Sequence, residues 1–303
     1  MTAQIPSQTV LITGGTGFIG SAVCERLLQS GYHIIVLTRQ TMPKKRNIQY
    51  IHSISDISDD AVIDHCINLA GEPLFSGAWT ENKKQKLFNS RVGITREIVA
   101  LNHRLQQPFR TLLSGSAIGF YGDKGQLETD ESAISGHHLG ALLCEQWETL
   151  ATRATEQGTR VCLLRTSIVL GNGGALVPMK PLFKLGLGSP ISSGQQYWPW
   201  ISLEDMVMAT MFLLENKNVS GPVNLCSPNQ VTNKQFSKTL ANTLNRPMIL
   251  PGVPAWLLKL VTLGASDLLT DSVKLIPDKL IHHGFQFKYP ILDDAMKQAV
   301  LHH

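Results

Sequence analysis

The stretch TVLITGGTGFIG (residues 9–20) decides the fold of this chain. It joins an apolar, β-branched run at 9–13 to a glycine-rich turn at 14–20. The following SAVCERLLQSG (21–31) has the apolar spacing of a helix and ends at a glycine. HIIVLTR (33–39) then reads as a second buried strand. Strand, glycine turn, helix and strand within about thirty residues predict a βαβ unit.

The glycine turn satisfies G-x-G-x-x-G, which predicts a dinucleotide site. Glycines let the backbone approach a pyrophosphate, and the helix N-terminus offers unpaired N–H groups and a partial positive charge. The motif alone is a weak signal, and a tight turn without a ligand is the alternative. Here it follows a strand and opens a helix, and that context favours dinucleotide binding.

The end of the second strand indicates which dinucleotide binds. NAD-binding sites usually carry an acidic residue there for the ribose diol, but this chain has Arg39, and the first acidic residue after it is Asp56. An arginine suits a 2′-phosphate through bidentate contact. Lys44, Lys45 and Arg46 follow closely. NADP(H) is therefore favoured over NAD(H), with a solvated surface arginine as the alternative.

The rest of the chain continues the alternation. Strands are predicted at 65–71, 110–116 and 160–171, and helices at 91–105, 139–158 and 202–216. This order predicts an α/β fold, a Rossmann-type doubly wound parallel sheet with a smaller C-terminal α/β lobe. Glycine and proline become frequent after Gly171, which sets the predicted boundaries: residues 1–171 plus 198–227 form the dinucleotide-binding core, and 172–197 plus 228–303 form the small substrate lobe.

Composition narrows the possible partners. With 43% hydrophobic and 17% charged residues, the 303-residue chain is globular. A net charge of +4 without a basic, aromatic-interleaved stripe argues against nucleic acid. The N-terminus lacks a signal-peptide pattern, and the apolar stretch at 253–269 is broken by Lys259, Ser266 and Asp267, so no membrane association is expected. Five scattered cysteines favour reduced thiols and a cytoplasmic location.

Several longer motifs extend the pattern: AGEPLFSGAWTENKKQKLFNSRVGIT (70–95), LSGSAIGFYGD (113–123), CEQWE (144–148), RTSIVLGNGGALVPM (165–179) and WISLEDM (200–206). Together with TGGTGFIG they resemble the extended short-chain dehydrogenase/reductase family, in its epimerase/dehydratase branch. Within that branch the chain is most similar to the YfcH-like epimerase family proteins, over nearly its whole length.

The resemblance implies roles for individual residues. Ser116 matches the catalytic serine position, and Arg39 matches the adenosine-phosphate position. The expected cofactor contacts are Gly14, Thr16, Gly17, Phe18, Ile19, Gly20, Arg39, Leu69, Ala70, Gly71, Glu72 and Ser114. The carboxyl ends of parallel strands are where ligands bind in such sheets, and these residues follow predicted strands. The histidine doublets at 137–138, 282–283 and 302–303 lack metal-ligand spacing with acidic residues or cysteines, so no metal is expected.

The resemblance also exposes a departure. The broader superfamily pairs the serine with Tyr-x-x-x-Lys on the next helix, where the tyrosine is the acid/base and the lysine lowers its pKa. That helix here, LGALLCEQWETLA (139–151), has neither residue. No tyrosine lies between Tyr121 and Tyr197, so no alignment shift restores the pair. A free tyrosine, with a pKa near ~10, is a poor base without such help.

Other residues are candidates to replace the missing tyrosine and lysine. Tyr121 has either a structural role or a substrate contact, and His137 and His138 either titrate near neutrality or lie in a solvated turn. A buried hydrogen bond to neighbouring backbone is expected for Glu148. Arg91 either binds an anionic substrate or is a surface charge. Trp200 is a further candidate substrate contact, with packing as its alternative.

Two functions remain from these observations. One is an NADP(H)-dependent oxidoreductase or epimerase acting on a small, anionic or nucleotide-linked substrate, in which Ser116 polarises the substrate oxygen. The other is a sensor or scaffold that binds NADP(H) without turnover. Nothing in the sequence settles the oligomeric state.

The cofactor preference gives a first prediction. We expect NADPH to bind more tightly than NADH, because Arg39 offers a charge to the 2′-phosphate that only NADPH carries. Fluorescence titration of the two reduced cofactors measures this, and tighter binding of NADH would contradict it.

Overall fold

A computed structural model of the chain describes residues 8–74, 79–254, 256 and 266–301. Its centre is a seven-stranded sheet in which every neighbouring pair is parallel. The strand order is β10-β7-β5-β4-β1-β2-β3. The strands are β1 (Thr9–Thr13), β2 (His33–Leu37), β3 (Ile48–Ile51), β4 (His65–Asn68), β5 (Thr111–Ala117), β7 (Arg160–Thr166) and β10 (Gly221–Leu225).

Helices cover both faces of this sheet, as the alternating sequence pattern predicts. The main ones are α1 (Phe18–Gln29), α2 (Glu81–Phe88), α3 (Ile94–Arg104), α4 (Leu139–Thr152) and α6 (Leu203–Glu215). One apolar cluster joins the sheet to α1 and α6, and a second joins its other face to α3 and α4. The doubly wound, Rossmann-type prediction is confirmed.

The strand order places a topological switch between β1 and β4. From β1 the chain proceeds outward to β2 and β3, and then returns to the other side of β1 at β4. Ligands in open α/β sheets bind at such a switch, outside the carboxyl ends of the strands. The glycine turn, the 69–72 segment and the end of β5 all lie at this edge, because each follows the carboxyl end of its strand.

A second group of elements packs beyond this sheet. It contains a parallel pair, β8 (Ile168–Leu170) and β9 (Trp200–Ser202), with α5 (Leu176–Lys184), α7 (Asn233–Thr243) and α10 (Leu292–Leu301). A short pair, β6 (Glu128–Thr129) and β11 (Lys274–Leu275), and the short helices α8 (Asp267–Thr270) and α9 (Asp278–His282) complete the described elements. The pair β8 and β9 shares with α5, α7 and α10 an apolar cluster that includes Trp198, Trp200 and Phe236. The predicted division into core and lobe stays a prediction.

Asp205 fastens the C-terminal chain to helix α6. Its buried carboxylate accepts hydrogen bonds from the backbone N–H groups of Lys288 and Tyr289, at 2.6 and 3.0 Å, and from the Ser202 hydroxyl. Ser202 caps the helix by accepting from the Asp205 N–H. Asp205 therefore orders the helix start and also holds a segment more than eighty residues away.

The described residues contain neither a candidate membrane span nor a candidate metal site. Among the described residues, no helix is long and apolar enough to cross a bilayer, and no group of three histidine, cysteine or acidic side chains could hold a metal ion. The N-terminal residues 1–7, the last histidine doublet and most of the apolar stretch at 253–269 lie outside the described residues.

Replacing Asp205 with alanine should lower the free energy of unfolding by about 3 kcal/mol, since two buried N–H groups and a hydroxyl would lose their acceptor. Denaturant melts measure the loss. Glu204→Ala is the matched control: its ion pair with Lys288 is half exposed, and its removal should cost less than about 1 kcal/mol. Equal effects of the two variants would contradict the role given to Asp205.

Candidate functional site

The glycine turn is compact enough that side chains are excluded at two of its positions. Gly14 has φ +70°, and a Cβ there would lie 2.5 Å from the carbonyl oxygen of Leu69. A Cβ on Gly20 would lie 2.1 Å from the carbonyl oxygen of Gly14. Helix α1 starts directly after Gly17, which supplies no side-chain cap. The first N–H groups of α1 are therefore free to donate hydrogen bonds to an anion, and a pyrophosphate fits this position.

The other expected contacts in the turn are placed differently. Thr16 and Gly17 lie at its accessible tip. Phe18 packs against the glycines at 171, 173 and 174, and Ile19 packs against the core. These two residues therefore offer the backbone of the helix N-terminus rather than their side chains.

Arg39 lies just after β2 with its side chain exposed. It makes no hydrogen bond or ion pair with any described residue, whereas the preceding Thr38 is buried and bonded through its carbonyl to His52. Lys44, Lys45 and Arg46 are exposed as well. The end of β2 thus carries free positive charge, which fits a 2′-phosphate.

Hydrogen bonds fix the end of β4 beside the glycine turn. Thr13 donates to the Asn68 side chain at 2.6 Å and accepts from the Ala70 N–H at 3.2 Å. Asn68 in turn donates to Thr95 at 2.8 Å. Residues 69–72 are therefore held next to Gly14, where the sequence placed a cofactor contact. Ser114, on the neighbouring strand, is fully buried with no partner for its hydroxyl among the described residues.

Ser116 lies at the end of β5, but its hydroxyl is already used. It donates to the Glu148 carboxylate of α4 at 2.6 Å, and only 5% of the residue is exposed. A serine has one proton to donate, and a carboxylate is a stronger acceptor than a neutral carbonyl. In this arrangement the hydroxyl proton is directed to Glu148, and the oxygen can accept a hydrogen bond from a substrate hydroxyl. The catalytic role of Ser116 stays a prediction.

Glu148 is held by a buried arginine that the sequence reading did not single out. Arg165, on β7, donates from Nε and Nη2 to the two carboxylate oxygens at 2.9 and 2.8 Å. Both side chains are at least nine-tenths buried. The expectation that Glu148 bonds to backbone is therefore wrong: its partners are two side chains. The arginine that follows the apolar run VCLL (161–164) was the signal that could have revealed this pair.

Tyr121 belongs to the same network. Its hydroxyl donates to Asn224 at 2.6 Å and accepts from Arg165 at 2.9 Å. Burial raises the pKa of Tyr121 well above its ordinary value, and the residue is fully buried. The suggested catalytic or substrate role does not fit this geometry, because the phenol is both inaccessible and hard to ionise.

Helix α4 presents other groups where the tyrosine and lysine are missing. Cys144 interacts with the Ser116 hydroxyl, and burial raises the pKa of its thiol to about 11. Trp147 packs over Gly115, where a Cβ would lie 2.8 Å from the indole ring. Cys144 and Glu148, four residues apart, thus face the serine with the same separation as a tyrosine and lysine in Tyr-x-x-x-Lys.

His138 is not free to act as the missing acid/base. Its Nδ1 accepts from the Ala141 N–H at 3.0 Å and caps α4, and its Nε2 lies 2.9 Å from the Asp271 carboxylate. Hydrogen bonding of the imidazole to the Asp271 carboxylate raises the pKa of His138. With both ring nitrogens engaged, the residue links α4 to the segment after α8. Trp200 is likewise unavailable: it is fully buried and donates to the Asn229 carbonyl at 3.0 Å. The expected substrate contact of Trp200 does not fit.

The sheet and its glycine turn define a Rossmann-type dinucleotide-binding protein. A family model described as the NAD dependent epimerase/dehydratase family matches residues 10–226, and a domain of unknown function, DUF1731, matches residues 253–299. The chain is 34% identical to the epimerase family protein YfhF of Bacillus subtilis over 297 residues, covering 96% of this chain and 97% of that protein. The chloroplastic SDR39U1 homolog of Arabidopsis thaliana is 33% identical, with 95% and 86% covered.

Solved structures agree with this relationship. The human epimerase family protein SDR39U1 (isoform 2), crystallised with NADPH, superposes with a TM-score of 0.90 at 28% identity, covering 98% of this chain and all of that one. The UDP-glucose 4-epimerase of Thermotoga maritima has a TM-score of 0.77 at 18% identity, which shows the shared fold alone. The chain belongs to the NAD dependent epimerase/dehydratase family, as its motifs indicated.

The Ser116–Glu148–Arg165 arrangement predicts unequal costs of substitution. Glu148→Gln should lower the free energy of unfolding by about 3–5 kcal/mol, since it leaves the Arg165 charge buried without a partner. Ser116→Ala should cost about 1 kcal/mol, since the carboxylate keeps Arg165.

Glu145→Gln is the matched control on the same helix, where the side chain is exposed, and should change stability by less than about 0.5 kcal/mol. Urea melts of the three variants give the order. If Glu148→Gln were as mild as Glu145→Gln, the ion pair would not stabilise the fold.

Proposed function

We propose that this protein is an NADP(H)-dependent oxidoreductase or epimerase that acts on a small, anionic or nucleotide-linked substrate. Two features together carry the proposal: a turn in which only glycine fits at positions 14 and 20, and an exposed Arg39 at the end of β2 that has no partner among the described residues. The NADPH in the human relative's structure supports the same cofactor.

The residues that would hold the cofactor follow from their positions. The backbone of the glycine turn and the α1 N-terminus would bind the pyrophosphate, and Arg39 would bind the 2′-phosphate. Residues 69–72 would line the ribose beside the nicotinamide. A bound nicotinamide supplies hydride acceptance or donation at this site.

The proton of the substrate hydroxyl would be transferred differently here than in a site with Tyr-x-x-x-Lys. Since Ser116 donates to Glu148, its lone pairs are what it can offer, and they would orient a substrate hydroxyl by accepting its proton in a hydrogen bond. Arg165 keeps the Glu148 carboxylate in place through two hydrogen bonds. Neither Tyr121 nor His138 is available, so we propose that water exchanges the proton with the substrate.

A sensor or scaffold that binds NADP(H) without turnover is the second candidate. The observation favouring it is that the Ser116–Glu148–Arg165–Tyr121 network is satisfied internally, with no group of it left to bind a reacting atom as a donor. Under either function we propose the two-part division at residues 171–172, 197–198 and 227–228. We also retain a cytoplasmic location, consistent with five buried, unpaired cysteines.

Arg39→Gln should weaken NADPH binding by about tenfold to a hundredfold, the loss of one charge-assisted contact to phosphate. NADH affinity should change by less than about twofold, because NADH lacks the 2′-phosphate. Isothermal titration measures both cofactors. Lys44→Gln removes the same charge five residues later and is the control. A parallel loss for NADPH and NADH would contradict the assignment of Arg39.

Turnover separates the two candidate functions. With NADP⁺ and hydroxyl-bearing anionic or sugar-nucleotide substrates, the absorbance of NADPH should rise with the wild-type protein and rise more slowly with Ser116→Ala. Serine-dependent reduction of NADP⁺ would exclude the sensor. Tight NADPH binding without reduction of NADP⁺ across the panel would favour it.

A further inference from the structure

Arg91 lies in a π-helical turn, Asn89–Gly93, between α2 and α3. Its guanidinium lies between Gly71 and Trp147. On one side it packs on Gly71, where a Cβ would lie 3.0 Å from Nη2. On the other it stacks over Trp147, with 5.6 Å from Cζ to the ring centroid. π-Turns within helices occur frequently at functional sites.

The hydrogen-bond partners of Arg91 are all neutral. Nη2 donates to the Glu72 carbonyl at 3.1 Å, and Nη1 makes long contacts to the Leu87 carbonyl and the Ser90 hydroxyl, both at 3.4 Å. The Glu72 carboxylate instead accepts from Lys83 at 3.2 Å. Within the described part of the chain, no carboxylate forms an ion pair with Arg91.

The same cluster has more donors than acceptors. A guanidinium has five N–H groups, and the Nε–H of Arg91 has no acceptor among residues 8–74, 79–254 and 266–301. The buried indole N–H of Trp147 also lacks one in this part of the chain. Burial lowers the pKa of Arg91, although the group stays charged. A partly buried charge with neutral partners is costly unless an anion completes it.

This charge lies beside the predicted reaction site. Trp147, over which the guanidinium stacks, packs against Gly115, the residue before Ser116 on β5. Gly71, against which Arg91 packs, belongs to the segment proposed to line the nicotinamide ribose. Arg91 thus places a positive charge at this edge, although α4 has no lysine.

We infer that Arg91 binds a carboxylate or phosphate group of the substrate, so that the substrate is a small anion rather than a neutral sugar. The inference rests on the proposed function, since it assigns the substrate class of that same site. Planar, bidentate recognition of such groups is what a guanidinium does best.

The cofactor's own pyrophosphate is the other possible source of the anion. It is expected at the α1 N-terminus, where glycines bring the backbone close and no side chain caps the helix. Arg91 is instead fixed beside Gly71 and Trp147, beyond the ends of β4 and β5. We therefore assign it to the substrate, and the experiment distinguishes the two sources.

Acetate and inorganic phosphate serve as probes, with acetamide as the neutral counterpart of acetate. Each is titrated into the NADPH-saturated protein, read by nicotinamide fluorescence, and into the protein alone, read by the thermal midpoint. We expect at least one anion to give a saturable change in both forms, and acetamide to give none. Arg91→Gln should raise the half-saturating concentration at least about tenfold, and Arg91→Lys by less.

Arg96→Gln is the matched control, because Arg96 is exposed on α3 five residues away. It should respond like the wild type. The inference is overturned if neither anion gives a saturable response in the wild type, or if Arg91→Gln responds like Arg96→Gln. It is also overturned if Arg91→Gln weakens NADPH itself by about tenfold, since the guanidinium then binds the cofactor.

The two proposals fail in different ways. A protein that binds the anion through Arg91 but binds no NADPH would defeat the proposed function and leave the anion site standing. A protein that binds NADPH but no anion would defeat only the assignment of Arg91. Arg91→Lys keeps the charge, and thermal midpoints without anion show whether either variant is folded.

Discussion

The buried ion pair between Glu148 and Arg165 is the interaction on which the site depends. It connects α4 to β7, and through Arg165 it reaches the Tyr121 hydroxyl and the Glu131 carbonyl. Burying two charges is expensive, and the attraction between them offsets the cost only when every remaining donor and acceptor is satisfied. Here the carboxylate accepts three hydrogen bonds, and the guanidinium donates four and stacks on Phe120 at 3.5 Å.

That constraint fixes the orientation of the serine. A carboxylate next to Ser116 draws the hydroxyl proton inward, so the serine presents lone pairs outward. With a lysine and a tyrosine on the helix, the same serine would be surrounded by donors and its proton would be free for a substrate oxygen. Replacing a helical cation by a carboxylate therefore reverses the polarity of the serine without moving it. The position resembles a catalytic serine, and the hydrogen bond determines what it can do.

The sequence predicted the fold well because local signals agreed with one another. Residues 9–20 combine strand composition, glycine spacing and a helix start, and the burial pattern of the following elements is strongly periodic. Arg39 could be singled out because its role depends on its position at a strand end. The partners of Glu148 could not be predicted, because Arg165 is on another strand and only strand pairing brings the two together. Trp200 was misassigned for a related reason: a motif position says nothing about burial.

The charged side chains around Ser116 differ in whether they have an ionic partner. Glu148 is neutralised by Arg165 within the protein, so this pair contributes no net charge to the space at the end of β5. Arg91 has no such partner among the described residues, so the local field there is set by its guanidinium. A site with a serine that accepts and an arginine that attracts anions is suited to a substrate bearing both a hydroxyl and a negative group. Under the proposed function, the departure from Tyr-x-x-x-Lys changes which substrate oxygen the site would recognise, and the positive charge would come from Arg91 in the turn before α3 instead of from α4.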